Sequence, residues 1–239
     1  MAVLVAAAVC PQPPLLVPGV GAGASTELDD VRAACGSVLE ALRDVDLVVV
    51  VGQSLESGPF PEQAWGTLRP YGVPVDVGSG PGGPRLPLSL TLGRWLLEQF
   101  VATDLPGPVL FIGVSDEATA ADCSTLGERV AGQAERVGLL VMGDGSARRS
   151  LKGPGHLDER AEPFDDVVEE ALRRANPAAL AALDEQLARE LLVTGRAPWQ
   201  VLAGAAVAGA AGSRTWRGTV SYAGAPYGVT YLVACWMPG

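Results

Sequence analysis

His156 is the only histidine of the chain and Lys152 the only lysine. With one imidazole per chain, a two-histidine, one-carboxylate iron site, a three-histidine zinc site and an H-E-x-x-H helix are all excluded. A Ser-His-Asp triad would have to use His156, and Schiff-base chemistry would have to use Lys152. Both belong to the Gly/Pro-rich stretch Lys152-Gly153-Pro154-Gly155-His156. There a lysine is solvated, and a histidine serves either as a general base or as a surface or packing residue. Cys10, Cys35, Cys123 and Cys235 form no C-x-x-C pair, so the chain carries no zinc, iron-sulfur or redox-dithiol signature, and the four read as reduced, buried thiols. Cys10 stands at a strand end, where a nucleophile would, but no clear basic neighbour activates it. Gly19-Val20-Gly21-Ala22-Gly23 does not fit G-x-G-x-x-G, and neither a Walker A nor a G-x-S-x-G motif occurs.

The remaining candidates follow apolar runs. Ala2 to Val9, Asp46 to Gly52, Pro108 to Val114 and Gly138 to Gly143 are short, continuous and β-branched enough to be fully buried parallel strands. Ligands of open parallel sheets bind beyond the carboxyl ends of the strands. Gln12 after the first run, Gln53 after the second, Ser115-Asp116-Glu117 after the third and Gly143-Asp144-Gly145-Ser146-Ala147-Arg148-Arg149 after the fourth are therefore expected to ring one crevice. The last segment has two readings. Its glycines expose backbone amides that, with Arg148 and Arg149, would cradle an anion, or it is a tight turn whose arginines pair with nearby acids. Gln12, Gln53, Asp144, Ser146, Arg148, Arg149 and His156 are the candidate ligand-binding residues. No catalytic residue and no metal ligand can be assigned.

Helical patterns separate the strands. Ser25 reads as the N-cap of a first helix carrying Val31, Leu39 and Leu42, Leu88 to Ala102 as a second, and Ser115 as the cap of a third through Asp116-Glu117. Ser57 to Pro87 is mostly ordered loop, with Val73 to Val77 as a short edge strand. Beyond a polar loop, Phe164 to Ala175 and Pro177 to Leu192 read as amphipathic helices, and Pro198 to Ala211 as a small-residue helix suited to close packing. Thr215 to Ala223 and Gly228 to Trp236 alternate as an antiparallel pair. The expected fold is α/β: one domain over residues 1–239, with a mainly parallel central sheet flanked by helices and a C-terminal antiparallel strand pair.

Seventeen basic against 27 acidic side chains in 239 residues give a net charge of −10, which repels phosphate backbones and anionic lipid, so neither nucleic acid nor a membrane surface is an expected partner. The longest apolar stretches fall short of the roughly 20 residues of a membrane helix, and no basic segment precedes the first, so the chain reads as cytoplasmic.

Several segments together resemble the class III extradiol ring-cleavage dioxygenase catalytic subunits and the related Memo-like proteins. The opening Cys10-Pro11-Gln12-Pro13-Pro14-Leu15-Leu16-Val17-Pro18 is similar to the family's His-x-Pro-type segment after the first strand. Gly143 to Ser150 stands in place of its Gly-rich, Ser-His-containing loop and is followed by Pro163-Phe164-Asp165. Trp199 to Ala206 and Tyr222 to Tyr231 resemble its closing helix and strand pair. The resemblance covers nearly the whole chain. It implies the α/β fold and the crevice, and in the family the crevice holds ferrous iron through two histidines and a glutamate, with another histidine for acid/base work. Here Gln12 stands where the first metal histidine falls, Gly52-Gln53-Ser54 offers none, and Arg148, Arg149 or Ser150 replaces the acid/base histidine. The expectation is a protein without cofactor that binds a small polar or anionic molecule. The alternatives are an iron-dependent (Fe2+) ring-cleavage dioxygenase with unusual ligands or a histidine lent by a second copy in a homo-oligomer, and a Memo-like interaction protein.

Overall fold

The computed structural model describes residues 3–21, 27–101, 107–208 and 215–239. The strands are β1 (Leu4–Cys10), β2 (Leu47–Ser54), β3 (Gly58–Phe60), β4 (Gly66–Thr67), β5 (Asp76–Val77), β6 (Val109–Ser115), β7 (Val137–Met142), β8 (Trp216–Gly224) and β9 (Tyr231–Pro238). The helices are α1 (Asp29–Leu39), α2 (Leu88–Phe100), α3 (Ala120–Ala131), α4 (Ala161–Arg173), α5 (Pro177–Ala181), α6 (Glu185–Glu190) and α7 (Arg196–Ala208). Seven strands form one sheet in the order β3-β6-β2-β7-β1-β9-β8. Its centre, β6-β2-β7-β1, is parallel, while β3, β9 and β8 run antiparallel to their neighbours.

The central strands are apolar on both faces because both faces are covered. Along β2, Leu47, Val49 and Val51 enter one core and Val48 and Val50 the other. The first core joins the sheet to α3, α4 and α7 through Val130, Val168, Leu172, Trp199 and Leu202. The second joins it to α1 and α2 through Val31, Leu39, Leu90 and Leu96. The small-residue helix does pack closely: a Cβ on Gly204 would lie 2.4 Å from the Ser124 carbonyl oxygen, and one on Gly127 would lie 2.2 Å from that of Val201, so α3 and α7 touch backbone to backbone.

Several local expectations are corrected. The third helix starts at Ala120, where Thr119 and Asp122 form a reciprocal capping box. Ser115 still belongs to β6, and its Oγ accepts from the Glu117 N–H in a turn. Both hydroxyls precede an acid, but only Thr119 has a carboxylate three residues on to return the bond. Pro177 to Leu192 is two short helices, because Asp184 caps a fresh start by accepting from the Leu187 N–H. Within Val73 to Val77 only Asp76–Val77 is strand, and it pairs with β4 in a separate two-stranded sheet. The main sheet instead gains an edge at β3, three residues that contain Gly58 and Pro59 and so carry no strand signal in the sequence. The Ser25 cap lies outside the described residues, and α1 is seen from Asp29.

No helix among the described residues is long and apolar enough to cross a membrane.

Candidate ligand-binding crevice

Because β7 lies between β1 and β2, the residues that follow it are flanked by those that follow its two neighbours. Met142 pairs with Cys10 on one side and Gly52 on the other, which places Gln12 and Asp144, just beyond β1 and β7, beside Gln53 near the end of β2. β9 runs antiparallel beside β1, with Val9 opposite Ala234. Its first residue, Tyr231, therefore arrives at the same end from the other direction. Gln12, Gln53, Asp144, Thr194 and Tyr231 line one crevice of about 460 Å³. Its apolar walls include Pro13, Pro14, Leu15, Leu88 and Val229.

The Asp144 loop is pinned by main-chain bonds on three sides. Gly143 N–H donates to the Cys10 carbonyl at 3.0 Å, Gly145 N–H to that of Thr230 at 2.8 Å, and Gly195 N–H to that of Asp144 at 2.9 Å. The Asp144 N–H donates to Thr194 Oγ1 at 2.9 Å. Its Oδ1 accepts from the Gln12 N–H at 2.7 Å. The carboxyl is surrounded by protein although the residue keeps partial access to the crevice. Desolvation pushes its pKa up to about 7, with the Gln12 N–H opposing the shift. Burial, and after it the Asp144 charge, pushes the Tyr231 phenol above its ordinary value. Gln12 is 7% exposed, and its Oε1 is buried with no hydrogen-bond partner.

The other candidates are placed elsewhere. Ser146 is fully buried. Its N–H and Oγ donate to Asp165 Oδ1 and Oδ2 at 2.8 and 2.5 Å, and Thr230 Oγ1 donates to the same Oδ2 at 2.6 Å. Arg149 pairs with Glu162 at 2.7 Å and lies 3.4 Å from Asp165, and Arg148 donates to the Gly155 carbonyl at 2.6 Å. Neither arginine lines the crevice. His156 is exposed, in a turn with φ 58°, its N–H directed at the Gly153 carbonyl. All four cysteines are free. Cys10 is buried, and that burial raises its thiol well above the ordinary value, away from the thiolate a nucleophile needs.

Tyr231 and Thr194 escaped the reading of strand ends, since one enters on an antiparallel strand and the other on a turn far along the chain. A smaller hollow of about 250 Å³ adjoins the crevice through Gln53 and Thr194 and is bordered by Arg189 and Arg196. Arg196 is buried and its guanidinium is committed to the carbonyls of Ala118 and Asp116 and to Gln200 Oε1.

The iron site implied by the resemblance does not fit these residues. Gln12 and Gln53 bring neutral amides, Asp144 is the one carboxyl lining the crevice, and amides are poor replacements for imidazole on iron. Among the described residues, no group of three His, Cys, Asp or Glu side chains could hold a metal ion.

No protein-family model matches the chain. No curated protein matches it. Among solved structures it is similar to the uncharacterized protein JW3007 from Escherichia coli K12, with a TM-score of 0.54 and 15% identity over 98% of this chain and 99% of that one. A likeness at that identity shows a shared fold over the whole length.

Proposed function

We propose that this chain is a small-molecule-binding relative of the class III extradiol dioxygenase catalytic subunits. In this reading the crevice at the strand ends has been kept and the iron site has been lost. The observation that carries the reading is the pairing of an unpartnered, buried Gln12 amide oxygen with the desolvated Asp144 carboxyl in one crevice. An acceptor buried without a donor costs about 1–3 kcal/mol, a cost to the fold that an apolar residue in the crevice wall would not carry. The apolar walls suit the body of the ligand and the two polar side chains suit its head, the usual composition of a small-molecule site. Of the polar and anionic ligands that the sequence allows, the polar one is favoured, because no arginine, lysine or histidine lines the crevice.

Mapping a set of small polar fragments by amide chemical shifts tests the reading. Binders are expected to perturb Gln12, Gln53, Asp144 and Thr194, while ferrous iron added without oxygen leaves these amides in place. Fragments that cluster instead in the larger groove between α3 and the β3 edge, lined by Phe60, Leu110 and Leu126, would overturn it. Saturable iron binding at the strand ends would favour the iron-dependent alternative.

A further inference from the structure

We propose that the crevice recognises a primary ammonium group on an apolar, single-ring-sized body, held by the free Asp144 carboxylate oxygen. The inference rests on the reading of the crevice as a small-molecule site and specifies the ligand's chemistry.

An ammonium group has three donors and no acceptor, and the crevice lining includes one carboxylate and no cation. Asp144 Oδ1 is taken by the Gln12 N–H, while no hydrogen bond engages Oδ2 among the described residues. Gln12 lines the crevice beside it, 7% exposed and with its Oε1 unpartnered. Gln53 also lines the crevice. A carboxylate or phosphate would bring only acceptors to the Asp144 oxygen and would meet no cation in the lining.

The body of the ligand has its own determinants. Pro13, Pro14, Leu88 and Val229 form rigid apolar walls, and a space of about 460 Å³ accommodates a single ring with a short arm.

The electrostatics agree with the geometry. A cation beside Asp144 favours the ionised carboxylate, offsetting the desolvation that raises its pKa to about 7. The titratable groups sharing the crevice are Tyr231 and Tyr227. Tyr227 donates to Glu27 at 2.7 Å, and both phenols are shifted upward, Tyr231 chiefly by burial and Tyr227 chiefly by that bond. Neither phenol ionises in the range where Asp144 does, so Asp144 is the crevice-lining group that titrates near neutrality.

Calorimetric titration of the intact chain with benzylamine, benzyl alcohol and benzoate at pH 8 and pH 5.5 tests the inference. Benzylamine is expected to bind at least about tenfold more tightly than benzyl alcohol at pH 8, with benzoate weakest. Lowering the pH to 5.5 is expected to weaken benzylamine by about ten- to thirtyfold, as Asp144 takes up its proton, and to leave benzyl alcohol unchanged. Asp144→Asn removes the charge with little change of shape and is expected to abolish the advantage of benzylamine at pH 8. The pH comparison on the unaltered chain gives the same answer without any variant. Equal binding of amine and alcohol, insensitive to pH and to Asp144→Asn, would overturn the ammonium inference while leaving the crevice as a small-molecule site. Binding of benzoate alone would overturn it in favour of an anion. If none of the three binds, both the inference and the reading it rests on fail.

Discussion

Asp165→Ala is expected to lower the unfolding free energy by about 3–5 kcal/mol, the range for removing one partner from a buried, hydrogen-bonded charge. Asp165 is 2% exposed, and its two oxygens accept from the Ser146 N–H, Ser146 Oγ and Thr230 Oγ1, with Arg149 at 3.4 Å. Alanine leaves three buried donors without an acceptor, each costing about 1–3 kcal/mol before water or rearrangement relieves it. At about 2–4 °C per kcal/mol for a chain of this size, the melting temperature is expected to fall by on the order of 10 °C. Asp165→Asn keeps an oxygen for the Ser146 N–H and turns an NH2 toward the hydroxyls, which can rotate to accept, so about half the loss is expected. Urea unfolding of the three proteins checks this. A loss under about 1 kcal/mol for alanine would mean that the Asp165 knot does not hold the β7 loop to β9 and α4.

Asp144→Asn is expected to change stability in the opposite direction, and in a way that depends on pH. In the folded protein the Asp144 pKa is about 7, against 3.8 without the fold, so the native state binds the proton more tightly. That preference supports the fold fully below about pH 4. It is lost as the pH rises to 7, because ionising the carboxyl in the folded chain means charging a desolvated group. At 1.36 kcal/mol per pKa unit the total is on the order of 4 kcal/mol. Asparagine cannot ionise and keeps an oxygen for the Gln12 N–H. The stability of Asp144→Asn relative to the unaltered chain is therefore expected to climb between pH 4 and 7 and to level off above. Carboxylates common to both proteins cancel in the difference. Urea midpoints at pH 4.5, 6, 7 and 8 measure it, and a difference that does not vary with pH would show that the Asp144 carboxyl is not desolvated.

Much of this geometry was legible in the residues. The four central strands are written as apolar runs because both faces of the sheet are covered, and the strand-end rule then names Gln12, Gln53 and Asp144 from the sequence alone. Elements whose form is decided by distant partners were not legible. β3 is too short and too rich in Gly and Pro to announce itself, and exists because β6 offers Phe111 to Gly113 as a partner. Tyr231 reaches the crevice through the antiparallel register of β9 on β1. Arg148 and Arg149 follow a glycine turn at a strand end, as an anion site would, yet the carbonyl of Gly155 and the carboxylates of Glu162 and Asp165 engage them. One available signal lies in α4: Asp165 falls in the apolar stripe of Val168 and Leu172, and an acid on a buried helical face is there to be hydrogen-bonded.

The most direct measurement is a crystal structure of the chain grown at pH 8 and soaked with benzylamine. The nitrogen is expected within hydrogen-bonding distance of Asp144 Oδ2, with the ring against Pro13, Pro14 and Leu88. An occupied groove beside β3 with nothing bound at Asp144, or a metal ion held at the ends of β1, β2 and β7, would contradict the account.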